Sequence, residues 1–200
     1  FPETDIQSTH ADYEILIKIR DGILEKIGGV DELRIKLPIL IKDAVDFVLD
    51  PERTLRTEMA QLDKVEKTFI GLKIEHYLRN WMGCPKGQKR DAQIAGIDVD
   101  IKNTIGSTWM IPPETYGGSE PCILIATAKF DGRCWLGVVL ARPEYLNAPN
   151  RDAKRSISEA GRRNILWLVR DEPYPPSRWH GIDMTRFREL RSDSKLRGNR

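Results

Sequence analysis

An α/β protein with its helical part first is what this sequence predicts, on three observations. Apolar residues recur at helical spacing through most of the first eighty positions. A strictly alternating stretch follows near the middle, and after it come two continuous apolar runs of strand length separated by a turn signal. Period 3.6 giving way to period 2 marks a change from helices to strands.

Ile15, Leu16, Ile19, Ile23, Leu24 and Ile27 lie on one face of a predicted helix over 11–27, which Gly28-Gly29 stops. A second helix is expected from about Pro38 to Leu49, with Pro38 in its first turn and Pro51 beyond its end. The pair would form a helical hairpin, capping the core or offering a dimer surface. A third helix over 66–82 has Phe69, Leu72, Tyr77, Leu78 and Trp81 as expected core residues and Gly83 as its end. Glu75 lies within it, either as a solvated surface glutamate or pointing at the charged segment that follows.

That segment is Asp91 to Lys102. From Ile97 to Lys102 apolar and charged residues alternate, so Asp98, Asp100 and Lys102 share one strand face while the apolar residues fix the register. Ala95-Gly96 reads as a tight turn, making 91–95 the antiparallel partner and returning Asp91 to the neighbourhood of Asp100. Two or three carboxylates and an amine then converge. Mg²⁺ takes oxygen ligands, commonly one or two carboxylates plus phosphate oxygens and water, and a nearby lysine can orient a nucleophilic water. The pattern therefore points to hard-cation chemistry on a phosphodiester, with a strand face of ordinary solvated charges as the plain alternative.

After Lys102, residues 103–118 read as a loop around Trp109-Met110-Ile111 and Pro112-Pro113. Cys122 to Ala128 and Cys134 to Ala141 are expected central strands joined at Asp131-Gly132. Residues 151–164 read as a basic helix or helix-loop, with Ser158 as a possible N-cap, and Ile165 to Val169 as another strand. A proline-containing basic tail, or a linker to a missing domain, is expected from 171 to 200, leaving 1–170 as one domain, with N-terminal helices over 11–50 and its core over 51–170.

Composition narrows the function classes. A net charge of +2 leaves nucleic-acid affinity to local patches: Lys86, Lys89 and Arg90 before the acidic strand, and Arg151, Lys154, Arg155, Arg162 and Arg163 later. The first group fits either a solvated loop or phosphate contact. The candidates for base readout are the Asn103–Glu114 loop, through Asn103 and Trp109, and the segment 147–163, where Arg151, Lys154 and Arg155 fit phosphate contact alone equally well. Three cysteines without CxxC spacing argue against a disulfide framework and a structural zinc site. No apolar run is long enough to span a membrane, and a cytoplasmic location is expected. The numbering opens on Phe1 rather than Met, as in a trimmed fragment. His10, His76 and His180 are scattered, and neither a nucleophile elbow nor a P-loop is present.

The chain resembles the endonuclease domain of the NaeI-type restriction enzymes, within the PD-(D/E)xK nucleases. The matching stretches are Glu66-Lys-Thr with Gly71 through Glu75, Ile94-Ala-Gly-Ile-Asp-Val-Asp-Ile-Lys102, Trp109-Met-Ile-Pro-Pro-Glu114, Leu136-Gly-Val-Val139, Leu146-Asn147, Asn150-Arg-Asp-Ala-Lys-Arg155 and Gly161 to Leu168. The resemblance implies a restriction-endonuclease-like core, a mixed sheet flanked by helices, with Glu75, Asp91 and Asp100 around Mg²⁺, Lys102 near the attacking water and Asp98 beside that set. It also implies a homodimer that hydrolyses both strands of duplex DNA within a short recognition sequence. Two departures stand out: Arg90 replaces the proline expected before Asp91, and the family's C-terminal winged-helix-like DNA-binding domain is not represented. Other readings are a repair or defence nuclease with little sequence choice and a DNA-binding module with a vestigial site.

Overall fold

A computed structural model describes residues 1–128 and 132–193. The elements are α1 (Tyr13–Ile27), α2 (Val30–Val48), the short α3 (Pro51–Thr54), α4 (Lys64–Met82), β1 (Ala92–Ile94), β2 (Ile97–Thr104), β3 (Met110–Ile111), the one-turn α5 (Pro113–Tyr116), β4 (Pro121–Ala128), β5 (Arg133–Leu140), β6 (Leu146–Pro149), β7 (Arg155–Ile157), β8 (Leu166–Pro173) and α6 (Met184–Ser192). A five-stranded sheet has the order β1-β2-β4-β5-β8, and a three-stranded sheet the order β3-β7-β6. Within the larger sheet β2 and β4 are parallel and the other pairs antiparallel, giving the mixed sheet expected.

Strand alternation sorts the core into two layers. Val99 and Ile101 of β2, Ile123 and Ile125 of β4, and Leu136 and Val138 of β5 face a layer shared with α1, α2 and α4. Cys122, Leu124 and Ala126 of β4 and Val139 of β5 face the opposite layer, closed by Ile111 and Ile157 of the small sheet and by Trp109 just before β3. The unbroken apolar run of β4 thus reflects burial on both faces. Asp98, Asp100 and Lys102 alternate with Val99 and Ile101, which turns them away from the helices.

The second helix begins at Val30, not near Pro38. Pro38 sits inside it and is buried, although an interior proline costs a helix about 3 kcal/mol. Leu33, Leu37, Ile41 and Ala44 are fully buried along one stripe, and that packing outweighs the lost hydrogen bond. In the third helix Leu78 is buried and Tyr77 and Trp81 pack against the core as expected, but the rest of the buried row differs. Ile70, Ile74, Leu78 and Met82 form the buried i, i+4 row, while Phe69 and Leu72 are 53% and 46% exposed. Asp63 caps this helix, accepting from Glu66 N–H while the Glu66 carboxylate accepts from Asp63 N–H.

Residues 103–118 are more ordered than a loop, since β2 runs on to Thr104 and β3 and α5 follow. No α-helix forms over 151–164. Asn150 Oδ1 accepts from the N–H groups of Asp152 and Lys154, and Ala153 takes φ 58°, so the chain turns, enters β7 and continues into a single 3₁₀ turn over 161–164. Ser158 Oγ accepts from Gly161 N–H at the start of that turn.

Asp131 of the expected turn lies outside the described residues, as do 194–200 of the basic tail. Residue 170, where the sequence reading ended the domain, falls within β8. Beyond β8, Ser177 Oγ and Arg178 N–H donate to Asp46 Oδ1 on α2 at 2.6 and 3.1 Å.

Candidate active site

The β1–β2 hairpin closes as expected. Ile94 pairs with Ile97, and Ala95 and Gly96 take φ 49° and 79°, the two positive values of a type I′ turn. Ala92 pairs with Val99, so Asp91 and Asp100 fall side by side at the open end. Asp91 Oδ2 accepts from Ile101 N–H at 2.8 Å. Asp100, only 5% exposed, receives Lys102 Nζ on Oδ1 and the Thr115 hydroxyl on Oδ2, each at 2.7 Å.

The electrostatics are those of two carboxylates forced together. Burial, the adjoining Asp100 carboxylate and the charge of Glu75 push Asp91 up to about 6, with the Ile101 N–H acting in the opposite direction. Burial also raises Asp100, but its bonds with Asp91, Lys102 and Thr115 outweigh that and hold it below the ordinary carboxylate range. A divalent cation would relieve this repulsion, and the donors are the hard oxygens such a cation prefers. Among the described residues no three side chains of metal-binding type form a cage, so the fit is to a cation held by two carboxylates and otherwise open to water and substrate oxygens.

Glu75 does not join the Asp91–Asp100 contact. It lies on the α4 wall of an adjoining cleft, within electrostatic reach of Asp91, with Oε1 3.8 Å from Arg79 Nη1. Arg79 in turn donates to Asp91 O at 3.3 Å, tying α4 to the hairpin. The cleft holds about 560 Å³ between α4 and β2, and Lys102, Asn103, Lys64, Lys67 and Lys154 line it. Lys64 and Lys67 escaped the sequence reading because two lysines in a first helical turn look like solvated surface.

Other expected site residues sit elsewhere. Asp98 accepts from the N–H groups of Gln88 and Lys89 at 3.2 and 2.8 Å, clamping the loop before β1. A Cβ on Gly87 would lie 3.0 Å from Asp98 Oδ1 and 2.8 Å from Arg90 O, so only glycine fits beneath that carboxylate. Lys86 and Lys89 are exposed on the loop. Arg90 is turned inward, its side chain 12% exposed, donating to Glu114 O and lying 3.7 Å from Glu120. Trp109 is fully buried, with its indole N–H donating to Ile125 O at 2.8 Å, so it is a core residue and not a DNA contact. Arg151 projects into solvent, whereas the Arg155 guanidinium lies 4.9 Å from the centre of the Tyr116 ring.

A mixed sheet flanked by helices, with an acidic pair and a lysine on its end hairpin, defines a restriction-endonuclease-like fold. The family model for the restriction endonuclease NaeI matches residues 29–190, and the chain belongs to that family. It is also 35% identical over 133 residues to the type II restriction enzyme NaeI of Lentzea aerocolonigenes. The alignment covers 66% of this chain and 41% of the relative, so the chain matches less than half of the relative's length. No helix among the described residues is long and apolar enough to cross a membrane.

Proposed function

We propose that this chain is the nuclease unit of a type II restriction endonuclease, hydrolysing phosphodiester bonds in double-stranded DNA at a specific short sequence. The observation that carries the reading is the contact of Asp91 with Asp100 and of Asp100 with Lys102 at the edge of a lysine-lined cleft. Asp91 and Asp100 would hold Mg²⁺, with Glu75 facing them from α4. Bound there, the cation would supply Lewis-acid activation of water and offset charge on the phosphate. Lys102, anchored by Asp100, orients the attacking water and stabilises the charge added to phosphorus. Lys64, Lys67 and Lys154 receive the DNA backbone along the cleft, with Lys86, Lys89 and Arg151 reaching phosphates outside it. Asn103 stands beside Lys102 in the lining of the cleft and is the candidate there for base readout.

The working unit is a homodimer with one site per strand, acting in the cytoplasm. Exposed Ile35 and Phe47 on α2 and Val65 and Phe69 on α4 provide apolar area for a second copy to cover.

Incubating phage and plasmid DNA with the protein and Mg²⁺ tests the reading. Discrete fragments with a common end sequence are expected. Smears would favour a nuclease with little sequence choice, and tight DNA binding without cleavage a binding module.

A further inference from the structure

The one-turn α5 carries a side chain whose place at the site nothing in its charge or spacing foretold. Thr115 is fully buried, and its hydroxyl donates to Asp100 Oδ2 while Lys102 donates to Oδ1. Both carboxylate oxygens are therefore held, fixing the plane of the group, yet each keeps lone-pair capacity for a cation. The same turn is tied on its other side to the basic loop before β7: the Tyr116 hydroxyl donates to Ala153 O at 2.9 Å, and Arg155 stacks on the Tyr116 ring. Arg90 donates to Glu114 O, and Glu120 N–H donates to Thr115 O at 3.0 Å, bracing the turn from both ends.

We infer that Thr115 is a positioning residue that orients Asp100 for the cation, and that Tyr116 couples this orientation to the DNA-facing loop 150–155. The inference rests on the proposed role of Asp100. A hydroxyl that merely filled the core would affect folding alone. One that aims a ligand affects cation affinity in the folded protein, because partners that orient a ligand typically govern 10- to 100-fold in affinity. Contact between DNA and Arg151 or Lys154 would reach Asp100 through Ala153, Tyr116 and Thr115, a path of direct contacts with no intervening gap.

The test compares the parent with Thr115→Val, Thr115→Ser and Tyr116→Phe in three measurements: Mn²⁺ affinity of the DNA-free protein by calorimetry, duplex affinity without divalent cation, and single-turnover cleavage with Mg²⁺. Thr115→Val is expected to weaken Mn²⁺ binding by about 10- to 100-fold and to slow cleavage at unchanged DNA affinity, and Thr115→Ser to restore both. Tyr116→Phe is expected to leave Mn²⁺ affinity intact and slow cleavage alone. If Thr115→Val does not fold, Thr115→Ala removes the same hydroxyl and takes its place.

Parental Mn²⁺ affinity in a folded Thr115→Val or Thr115→Ala protein, beside an active parent, overturns the positioning role and leaves the proposed function standing. Parental cleavage by Tyr116→Phe overturns the coupling. A parent that neither binds Mn²⁺ nor cleaves overturns the functional reading and this inference with it.

Discussion

Asp91 shows how a single residue ties the site to solution conditions. Its carboxyl is raised to about 6 by burial and by Asp100, against an ordinary value of 3.8. Between those values the native chain holds a proton that the unfolded chain has released, so this group favours the fold below the ordinary value and the benefit is lost as pH rises through about 6. A divalent cation must displace the same proton. Cation affinity should therefore be about tenfold weaker near pH 5 than on a plateau above pH 7, a slope that calorimetric titration would show and that Asp91→Asn should abolish.

Asp91, Asp100 and Lys102 were legible because period-2 alternation and a two-residue turn leave few ways to arrange them. Thr115 was not, since a threonine after two prolines carries no periodic signal and its bond to Asp100 spans fifteen positions. Trp109 misled because a tryptophan among polar and glycine residues reads as exposed, whereas the small sheet folds it into the second core layer.

Among the elements, the hairpin and the loop before it behave as one unit. Asp98 lies two residues from Asp100 on the same strand, yet its carboxylate accepts backbone N–H groups of that loop. Asp98→Ala should thus leave Mn²⁺ affinity unchanged, lower stability by about 1 kcal/mol and weaken DNA binding by loosening Lys86 and Lys89, as denaturant titration and a duplex-binding assay would show. Loss of Mn²⁺ binding in this variant would make Asp98 a ligand instead.

Elements with strong local signals were readable. The 66–82 helix has its helically spaced apolar residues and terminal glycine, and the strand over 122–128 its unbroken apolar run. What failed was decided by packing or by turn chemistry. Burial of the α2 stripe carries a helix through Pro38, and the Asn150 side chain with a left-handed Ala153 diverts 150–154 from a helical path. The exposed Phe69 and Leu72 show that helical periodicity gives a stripe but not which of two adjacent stripes meets the sheet.

At the scale of the whole molecule, chain segments far apart in sequence are joined by buried carboxylates. Asp12, fully buried ahead of α1, receives two bonds from Arg142, the nearer at 2.5 Å, and one from the Tyr145 hydroxyl at 2.8 Å. Removing one partner of such a pair strands the other, and Asp12→Ala should cost about 3 kcal/mol in urea unfolding while leaving residual cleavage in the folded fraction. These long-range ties have no local signature, so helices and strands could be read from the sequence but not how the ends of the fold are fastened. The proposed dimer belongs to this scale too. Sedimentation is expected to give twice the 22.9 kDa chain mass.

The central claim is that DNA is cut at the Asp91–Asp100–Lys102 site. Single-turnover cleavage of an end-labelled duplex bearing the mapped sequence, by the parent, Asp100→Ala and Lys102→Ala at saturating protein and Mg²⁺, tests it most directly. The expected result is rapid cleavage by the parent and a loss of at least about 100-fold in both variants, with each still binding the duplex. Cleavage at the parental rate by either variant would contradict the claim and move the chemistry elsewhere.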